Sequence, residues 1–284
     1  MNALIAWIGV FAATALPAGQ AAPSNTTPKW ADLNSALRAD ADTIGRLFDG
    51  GRKDAETAKN ADFLNTDFRK GIGSVRTNVL RQETVSFAYF NVLALGAFSA
   101  GFTARKQYLG DDEIAGMRGR FMDWAPVADT ILIAGVLNIC PSFGSYGRLV
   151  RRANPDDLKG VRVVLKVGDR IYQPYDQPGD LQYVENAEQN LAGRPMWSST
   201  TATSSGGQSV TVQSFYTTTY VQGYEWYHGT FCVGFKMFDA DGSARITSKD
   251  HEIEAIVIYG GNERHAKFSL DALKRFIDER SKPR

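Results

Sequence analysis

Apolar and polar residues alternate most regularly near the C-terminus, over residues 231–238 and 252–259. Alternation with a period of two is typical of strands that bury one face. Gly260 and Gly261 then provide a turn, and residues 264–268 return the chain as a third strand. We therefore expect an antiparallel meander of three strands. The positions of the first strand that should face the core are Phe231, Val233, Phe235 and Met237.

Strand patterns also occur at 161–167 and at 209–220, where threonine, valine and aromatic residues dominate. Residues 198–207 contain only Ser, Thr, Ala and Gly, so they predict a low-complexity loop that cannot bury a core. A last helix is expected over 270–280, where apolar residues return at helical spacing. Residues 161–284 thus predict an antiparallel, β-sandwich-like domain that ends in a helix.

The N-terminal half has mainly helical spacing. Apolar residues recur every three or four positions over 30–48 and again over 111–124. Gly50 and Gly51 should end the first of these helices. Residues 28–140 therefore predict a helical domain packed on the β domain, an α+β fold. Residues 141–160, rich in Gly, Ser and Pro, are expected to link the two.

Two apolar runs in this half are ambiguous. Residues 84–104 contain no charged side chain and are long enough to reach the threshold for a membrane span. Their Ser, Thr, Asn and Tyr residues suit a lipid-facing helix poorly, so we favour a buried central helix and keep the span as the alternative. Gly96 and Gly101 would permit close helix–helix contacts. The run 130–139 favours a buried strand because it is rich in β-branched residues.

The first 21 residues have the pattern of a secretory signal peptide. An apolar run at 4–16 is followed by Gly19 and Ala21, small residues at the two positions that a signal peptidase reads. We expect cleavage after Ala21, a short leader at 22–27, and a periplasmic or secreted protein. No Lys or Arg precedes the apolar run, so an uncleaved anchor is the alternative.

Charge and cysteine content narrow the function classes. The chain has 32 Lys and Arg against 31 Asp and Glu, so no global field attracts nucleic acid, and we exclude that partner. Export would permit a disulfide between the two cysteines, Cys140 and Cys232. Two separate buried thiols are the favoured alternative.

Catalytic and metal-binding motifs are absent from the sequence. Residues 238–242 contain an Asp-x-Asp-Gly fragment of a calcium loop, but the remaining oxygen ligands are missing, which favours a polar turn. His228, His251 and His265 have no metal-binding spacing, and no Gly-x-Ser-x-Gly elbow occurs. We predict no cofactor, no metal and no catalytic residue.

Aromatic residues in the C-terminal half are the strongest functional signal. Exposed rings on a sheet can stack on sugars or anchor a protein partner, whereas buried rings would only fill a core. We expect an exported, non-catalytic binding or envelope-structural protein that engages a protein or glycan through surface aromatics. The alternatives are an exported hydrolase whose site combines dispersed residues, and a membrane-tethered envelope protein that spans at 84–104. The expected binding residues are Trp197, Tyr220, Tyr224 and Trp226.

Overall fold

A computed structural model describes residues 39–58, 64, 66–76, 83–143, 149–181, 184–203, 205–207, 209–247 and 249–282. The predicted signal peptide, the leader and the start of the first predicted helix lie outside these residues. The described chain is a mixed α+β fold with four α-helices and antiparallel sheets. The helices are α1 (Ala41–Thr57), α2 (Leu93–Lys106), α3 (Asp111–Trp124) and α4 (Leu270–Arg280).

Eleven strands are described, and they form three sheets. A five-stranded sheet has the order β1-β2-β3-β9-β8, a four-stranded sheet has the order β11-β10-β6-β7, and β4 pairs with β5. The strands are β1 (Arg69–Arg76), β2 (Glu83–Asn91), β3 (Thr130–Ile139), β4 (Ser142–Phe143), β5 (Leu149–Arg151), β6 (Arg162–Val167), β7 (Arg170–Tyr172), β8 (Val184–Thr203), β9 (Ser209–Lys236), β10 (Glu252–Tyr259) and β11 (Asn262–Ser269).

Local sequence explains where the helices begin. Asp40 caps α1 by accepting the Thr43 backbone N–H at 2.7 Å, and Ser269 caps α4 by accepting the Ala272 N–H. Three acidic residues occupy the first turn of α3, where the helix dipole favours negative charge. The predictions of helices at 111–124 and 270–280 and of a strand at 130–139 are confirmed.

The two larger sheets share one hydrophobic core. Ile131 and Ile133 of β3 and Phe235 of β9 belong to the same buried cluster as Val257 of β10 and Phe268 of β11. The four positions that we expected to face the core, three on β9 and Met237 directly after it, are buried, which confirms that part of the pattern. The helices pack mainly on one another, and α4 also contacts β10.

The predicted three-stranded meander is wrong in its pairing. β10 and β11 do form a hairpin around Gly260 and Gly261, whose φ angles of 55° and 70° suit glycine. However, β9 pairs with β3 and β8, and β10 pairs with β6. Alternation shows that a strand has a buried face, but it does not show which strand lies beside it. Here β9 belongs to the five-stranded sheet and β10 to the four-stranded sheet, and both strands bury their apolar faces in the same core.

The continuous helix predicted at 84–104 is also wrong. Residues up to Asn91 form β2, Val92 is extended, and α2 begins only at Leu93. Ala88 and Phe90 face the shared core while Phe87 and Tyr89 alternate with them, so an apolar run concealed a period of two. None of the helices among the described residues is both long and apolar enough to cross a membrane.

A separate helical half is not confirmed. Strands β1, β2 and β3 come from residues before 140 and pair into the sheet that β9 and β8 complete. Residues 141–160 carry β4, β5 and a short 3-10 turn, Pro155–Leu158, whose Leu158 is fully buried. The domain boundaries themselves stay predictions.

Residues 198–207, expected to be a loop, mostly belong to the long hairpin of β8 and β9. Thr201 and Thr203 pair with Thr211 and Ser209, and both pairs share hydroxyl hydrogen bonds, at 2.9 and 3.2 Å. Threonine has high β propensity, and cross-strand hydroxyl pairs stabilise a ladder. A stretch without core-forming residues can therefore still form a strand when its partner strand is adjacent in the chain.

Glycines allow α1 and α2 to cross closely. A Cβ added at Gly51 would lie 2.1 Å from the Phe98 carbonyl oxygen, and one at Gly101 would lie 2.0 Å from that of Phe48. The close helix contact predicted at Gly101 is confirmed. The predicted helix end at Gly50 and Gly51 is wrong, because α1 continues to Thr57 and uses Gly51 for this contact.

Candidate binding surface on the five-stranded sheet

The face of β9 that carries the candidate aromatics is fixed by its neighbours in the strand. Phe231, Val233 and Phe235 point into the shared core, and β9 pairs with β3 without a register shift from 227 to 236. Side chains of a strand alternate between its faces, so Tyr224 and Trp226 lie on the face opposite that core. We call this the outer face of the sheet.

Tyr224, Trp226 and His228 occupy successive positions on the outer face, and all three are half-buried. The Trp226 and His228 rings lie 5.8 Å apart at an interplanar angle of 54°. Burial raises the pKa of the Tyr224 phenol above its ordinary value, and the nearby Cys140 adds to this effect. The phenol is therefore neutral at physiological pH and can donate or accept a hydrogen bond.

A second aromatic group lies on the same face, on β2. The Arg69 guanidinium carbon is 3.4 Å from the centroid of the Phe87 ring and 5.6 Å from that of Tyr89. Ala134 of β3 lies opposite Tyr89, and Leu132 lies further from Trp226; both are almost fully buried although they do not belong to the shared core. Val136 and Asn138, which lie between this group and Trp226, are half-buried. The outer face is therefore closed at the end away from Trp226, and a ligand would meet the end that carries Tyr224 and Trp226.

The hairpin register brings three of the four predicted binding residues to one face. Tyr220, Tyr224 and Trp226 are separated by even numbers of residues on β9, which pairs with β8 without a register shift from 219 to 227. Trp197 pairs with Phe215, so its backbone position belongs to the opposite face. The side chains of Tyr220 and Trp197 lie outside the described part of the structure.

The position of Trp197 results from a bulge in β8. Two steps on β9, from Thr219 to Thr217, match three steps on β8, from Ala192 to Pro195. One extra residue turns every later side chain of a strand to the other face. Without the bulge, Trp197 would share a face with Leu191, the partner of Tyr220.

The cysteines are not joined. Cys232 pairs with Ala134 of β3, and Cys140 follows the end of that strand, six positions beyond Ala134. At about 3.3 Å per residue, their Cα atoms are roughly 20 Å apart, whereas a disulfide needs less than about 7 Å. The disulfide considered from the sequence is therefore not formed in this structure. Burial raises the pKa of the Cys232 thiol to about 11.

A charged cleft of about 320 Å³ lies on the four-stranded sheet, and it is the second candidate site. Its charges are largely paired: Lys267 contacts Glu252 at 3.0 Å, and Glu254 contacts His265 Nδ1 at 3.1 Å. His251, which also lines the cleft, bonds Asp271 at 3.1 Å. Cross-strand pairs of this kind are typical of a solvated sheet surface.

The Asp-x-Asp-Gly segment forms a polar turn. Asp239 bonds the Arg245 guanidinium at 2.8 Å, and Asp241 accepts hydrogen bonds from the Ser243 backbone and hydroxyl. Gly242 has a φ of 81°, which suits this turn. Among the described residues, no three His, Cys, Asp or Glu side chains gather as a metal site would require.

Sequence reasoning missed Arg69, Phe87, Tyr89 and His228 as members of the outer face. Phe87 and Tyr89 fell within the run that we interpreted as a helix, so their alternation with Ala88 and Phe90 went unused. That alternation is the signal that could have identified them.

The sequence matches no protein-family model and no curated protein.

Proposed function

We propose that this chain is an exported, non-catalytic binding or envelope-structural protein that engages a protein or glycan through the outer face of β9. The observation that carries the proposal is the alignment of Tyr224, Trp226 and the backbone position of Tyr220 on one face of the sheet, away from the shared core. Aromatic residues supply large contact area at low entropic cost, which is why binding surfaces are rich in them.

The chemistry of this surface fits an uncharged ligand. Tyr224 carries a neutral phenol, Trp226 an indole N–H donor, and His228 a ring that can donate or accept. Flat rings with polar edges suit the apolar faces and hydroxyl groups of a sugar, and they equally suit an uncharged peptide segment.

The fold supports this use as a rigid platform. We infer a sandwich-like arrangement in which the five-stranded and four-stranded sheets enclose the core, with the helices at one end. Rings on strands of such a scaffold are held more firmly than rings on loops, so less entropy is lost on binding.

Substitution and site-directed crosslinking test the proposal together. The Tyr224→Ala/Trp226→Ala variant should lose binding to a panel of soluble oligosaccharides, including N-acetylglucosamine and glucose oligomers, if the ligand is a glycan. A photo-crosslinking residue at position 226, expressed in the native host, should capture a defined neighbour if the ligand is a protein. The matched control is Tyr108, an aromatic residue that is 89% exposed and lies at the end of α2.

Two results would contradict the proposal. The first is that the double variant and Tyr108→Ala behave alike in every glycan and partner assay. The second is that position 226 and position 108 give the same crosslinks, which would mean that the outer face has no specific binding partner.

An exported hydrolase is the alternative function, and one observation favours it. Two histidine–carboxylate pairs, His251 with Asp271 and His265 with Glu254, lie beside the charged cleft. A hydrolase would also need a nucleophile within hydrogen-bond reach, and no described hydrogen bond joins either ring to a serine. Labelling of the purified protein by a fluorophosphonate probe, abolished in His251→Ala, would favour this alternative over binding.

A further inference from the structure

The hairpin of β8 and β9 extends far beyond its sheet. β9 pairs with β3 only over 227–236, whereas it pairs with β8 over 209–227. In the described part of the chain, residues 209–226 of β9 therefore have one free edge, and at about 3.3 Å per residue the ribbon reaches roughly 60 Å. Two-stranded ribbons are marginally stable alone, so a ribbon of this length calls for a further partner.

Other strand edges of the fold carry features that oppose strand addition. Basic side chains and proline on an edge prevent another strand from pairing there. The edge of β8 also contains the bulge between Ala192 and Pro195, which breaks a regular ladder. The guarding residues are Arg69, Lys70 and Arg76 on β1, Arg170 on β7, Arg194 and Pro195 on β8, and Arg264 and Lys267 on β11.

From residue 209 to residue 224, the free edge of β9 lacks every such feature. Residues 195–224 contain no Lys, Arg, Asp or Glu, and residues 209–224 contain no proline. Near the tip, Thr211 and Gln213 are exposed and Val210 is 63% exposed. Long, uncharged strands rich in threonine, valine and aromatics are the ones that pair with other chains.

We propose that this edge of β9 pairs antiparallel with the same edge of a second copy of the chain, which gives a four-stranded ribbon in the order β8-β9-β9-β8. The absence of charge favours a second copy, because an edge with like charges would repel itself and a charged partner would find no complement here. The proposal does not depend on the proposed function, since it concerns the backbone edge and not the aromatic face.

The sequence of β9 is complementary to itself in this arrangement. A two-fold axis perpendicular to the ribbon sets each face beside the same face of the other copy. With the axis at Tyr216, Val212 stands opposite Tyr220, and Phe215 stands opposite Thr217. Pairs of an aromatic with a β-branched residue are among the favourable cross-strand pairs. The tyrosine positions of both copies would then form one continuous row.

Charged substitutions on the free edge of β9 give a direct test, because like charges on the two copies should repel and opposite charges should attract. In Thr217→Lys/Thr219→Lys, lysines stand beside Pro195 and Ala192 of the same hairpin, so no like charge faces them within one copy. Sedimentation velocity on the full chain should show a dimer for the unsubstituted protein. The dimer dissociation constant of this variant should be higher by about 100-fold or more. Thr217→Glu/Thr219→Glu should dissociate as well, and mixing the two variants should restore the dimer.

The control places the same charges on the other edge. Ser199→Lys/Thr201→Lys changes exposed positions of β8 and should leave the dimer intact. If the charged β9 variants do not fold, single cysteines at positions 215, 216 and 217, each in a Cys140→Ser/Cys232→Ser background, provide a second measurement. At least one should form a disulfide-linked dimer under oxidation, while Ser199→Cys should not.

Several results would overturn the proposal. One is that the unsubstituted protein stays monomeric at about 100 µM and none of the three cysteines crosslinks. A second is that the β8 control dissociates while the β9 variants stay dimeric. A third is that monomeric protein binds vesicles of phosphatidylcholine and phosphatidylglycerol through the hairpin, which would make lipid the occupant of this edge.

Discussion

The crossing of α1 and α2 gives the sharpest stability prediction, in the substitution Gly101→Ala. Alanine is the better helix former, so helix propensity alone favours this change by about 1 kcal/mol. The structure predicts the opposite sign. The added Cβ would lie 2.0 Å from the Phe48 carbonyl oxygen, where ordinary contacts begin at about 3.4 Å. Backbone atoms of α1 cannot rotate away as a flexible side chain can.

The size of the destabilisation follows from how far α1 and α2 have to separate. The two helices have to separate by more than about 1 Å, which also loosens the reciprocal contact at Gly51 and the packing of Phe48 and Phe98, both fully buried. Overpacking a core costs about 1–3 kcal/mol and occasionally more, and here the damage extends along the crossing, so we take about 3–4 kcal/mol. After the gain in helix propensity, the net loss is about 2–3 kcal/mol.

Gly116→Ala is the matched control, because it makes the same chemical change in α3. Gly116 is exposed, and nothing lies within 4 Å of the added Cβ, so this variant should gain about 0.5–1 kcal/mol. Calorimetry should show a Tm lower by roughly 5–10 °C for Gly101→Ala and slightly higher for Gly116→Ala. If both variants are stabilised, α1 and α2 do not cross at Gly101 and the packing described here is refuted.

Three further predictions concern a cap, a thiol and an ion pair. Hydrogen bonds from Thr43 hold the pKa of the Asp40 carboxyl below its usual value of about 4. The contribution of this cap to folding stability is therefore present above about pH 4 and is lost as the pH falls through the lowered pKa. Asp40→Ala should therefore cost about 1 kcal/mol in urea unfolding at pH 7 and much less at pH 3; equal costs would contradict the cap. Cys232, with a pKa of about 11, should react with iodoacetamide at pH 8 at least about 100-fold more slowly in the folded protein than in denaturant, as peptide mapping would show. Asp54 and Arg280, which pair α1 with α4, should show a coupling of about 1 kcal/mol in a double-mutant cycle, and additive losses would exclude the pair.

Elements with one regular buried face were predictable from the sequence. The helix at 111–124 and the strands near 161–167 and 252–259 carry their period over a full element, and each is bounded by turn or capping residues. Local spacing was sufficient there because the core covers one face only.

Residues 84–104 could not be assigned in the same way. When both faces of an element are apolar, neither a period of two nor one of 3.6 stands out. The change from β2 to α2 at Val92 is set by sheet pairing with β3 and by packing of α2 on α1, and both contacts come from distant parts of the chain.

The common face of the candidate aromatics was partly predictable for a related reason. Tyr220, Tyr224 and Trp226 share one strand, so their common face follows from spacing alone. Trp197 lies on the partner strand, and its face depends on a single extra residue between Ala192 and Pro195. Nothing in the local sequence shows where a bulge will interrupt a ladder, although Gly193 and Pro195 are compatible with one.

The outer face and the free edge of β9 make a joint prediction if both proposals hold. With the two-fold axis at Tyr216, the two copies of Trp226 lie ten positions from it in opposite directions, roughly 65 Å apart at 3.3 Å per residue. Two sites at this distance cannot bind the same short oligosaccharide. The Thr217→Lys/Thr219→Lys variant should therefore bind a short oligosaccharide with the same affinity as the unsubstituted dimer. A long polymer could reach both sites and gain from effective concentration, so the same variant should bind the polymer at least 10-fold more weakly. Equal loss for both ligands would instead mean that the substitutions damage the aromatic face, and equal binding of both would mean that the two sites act alone.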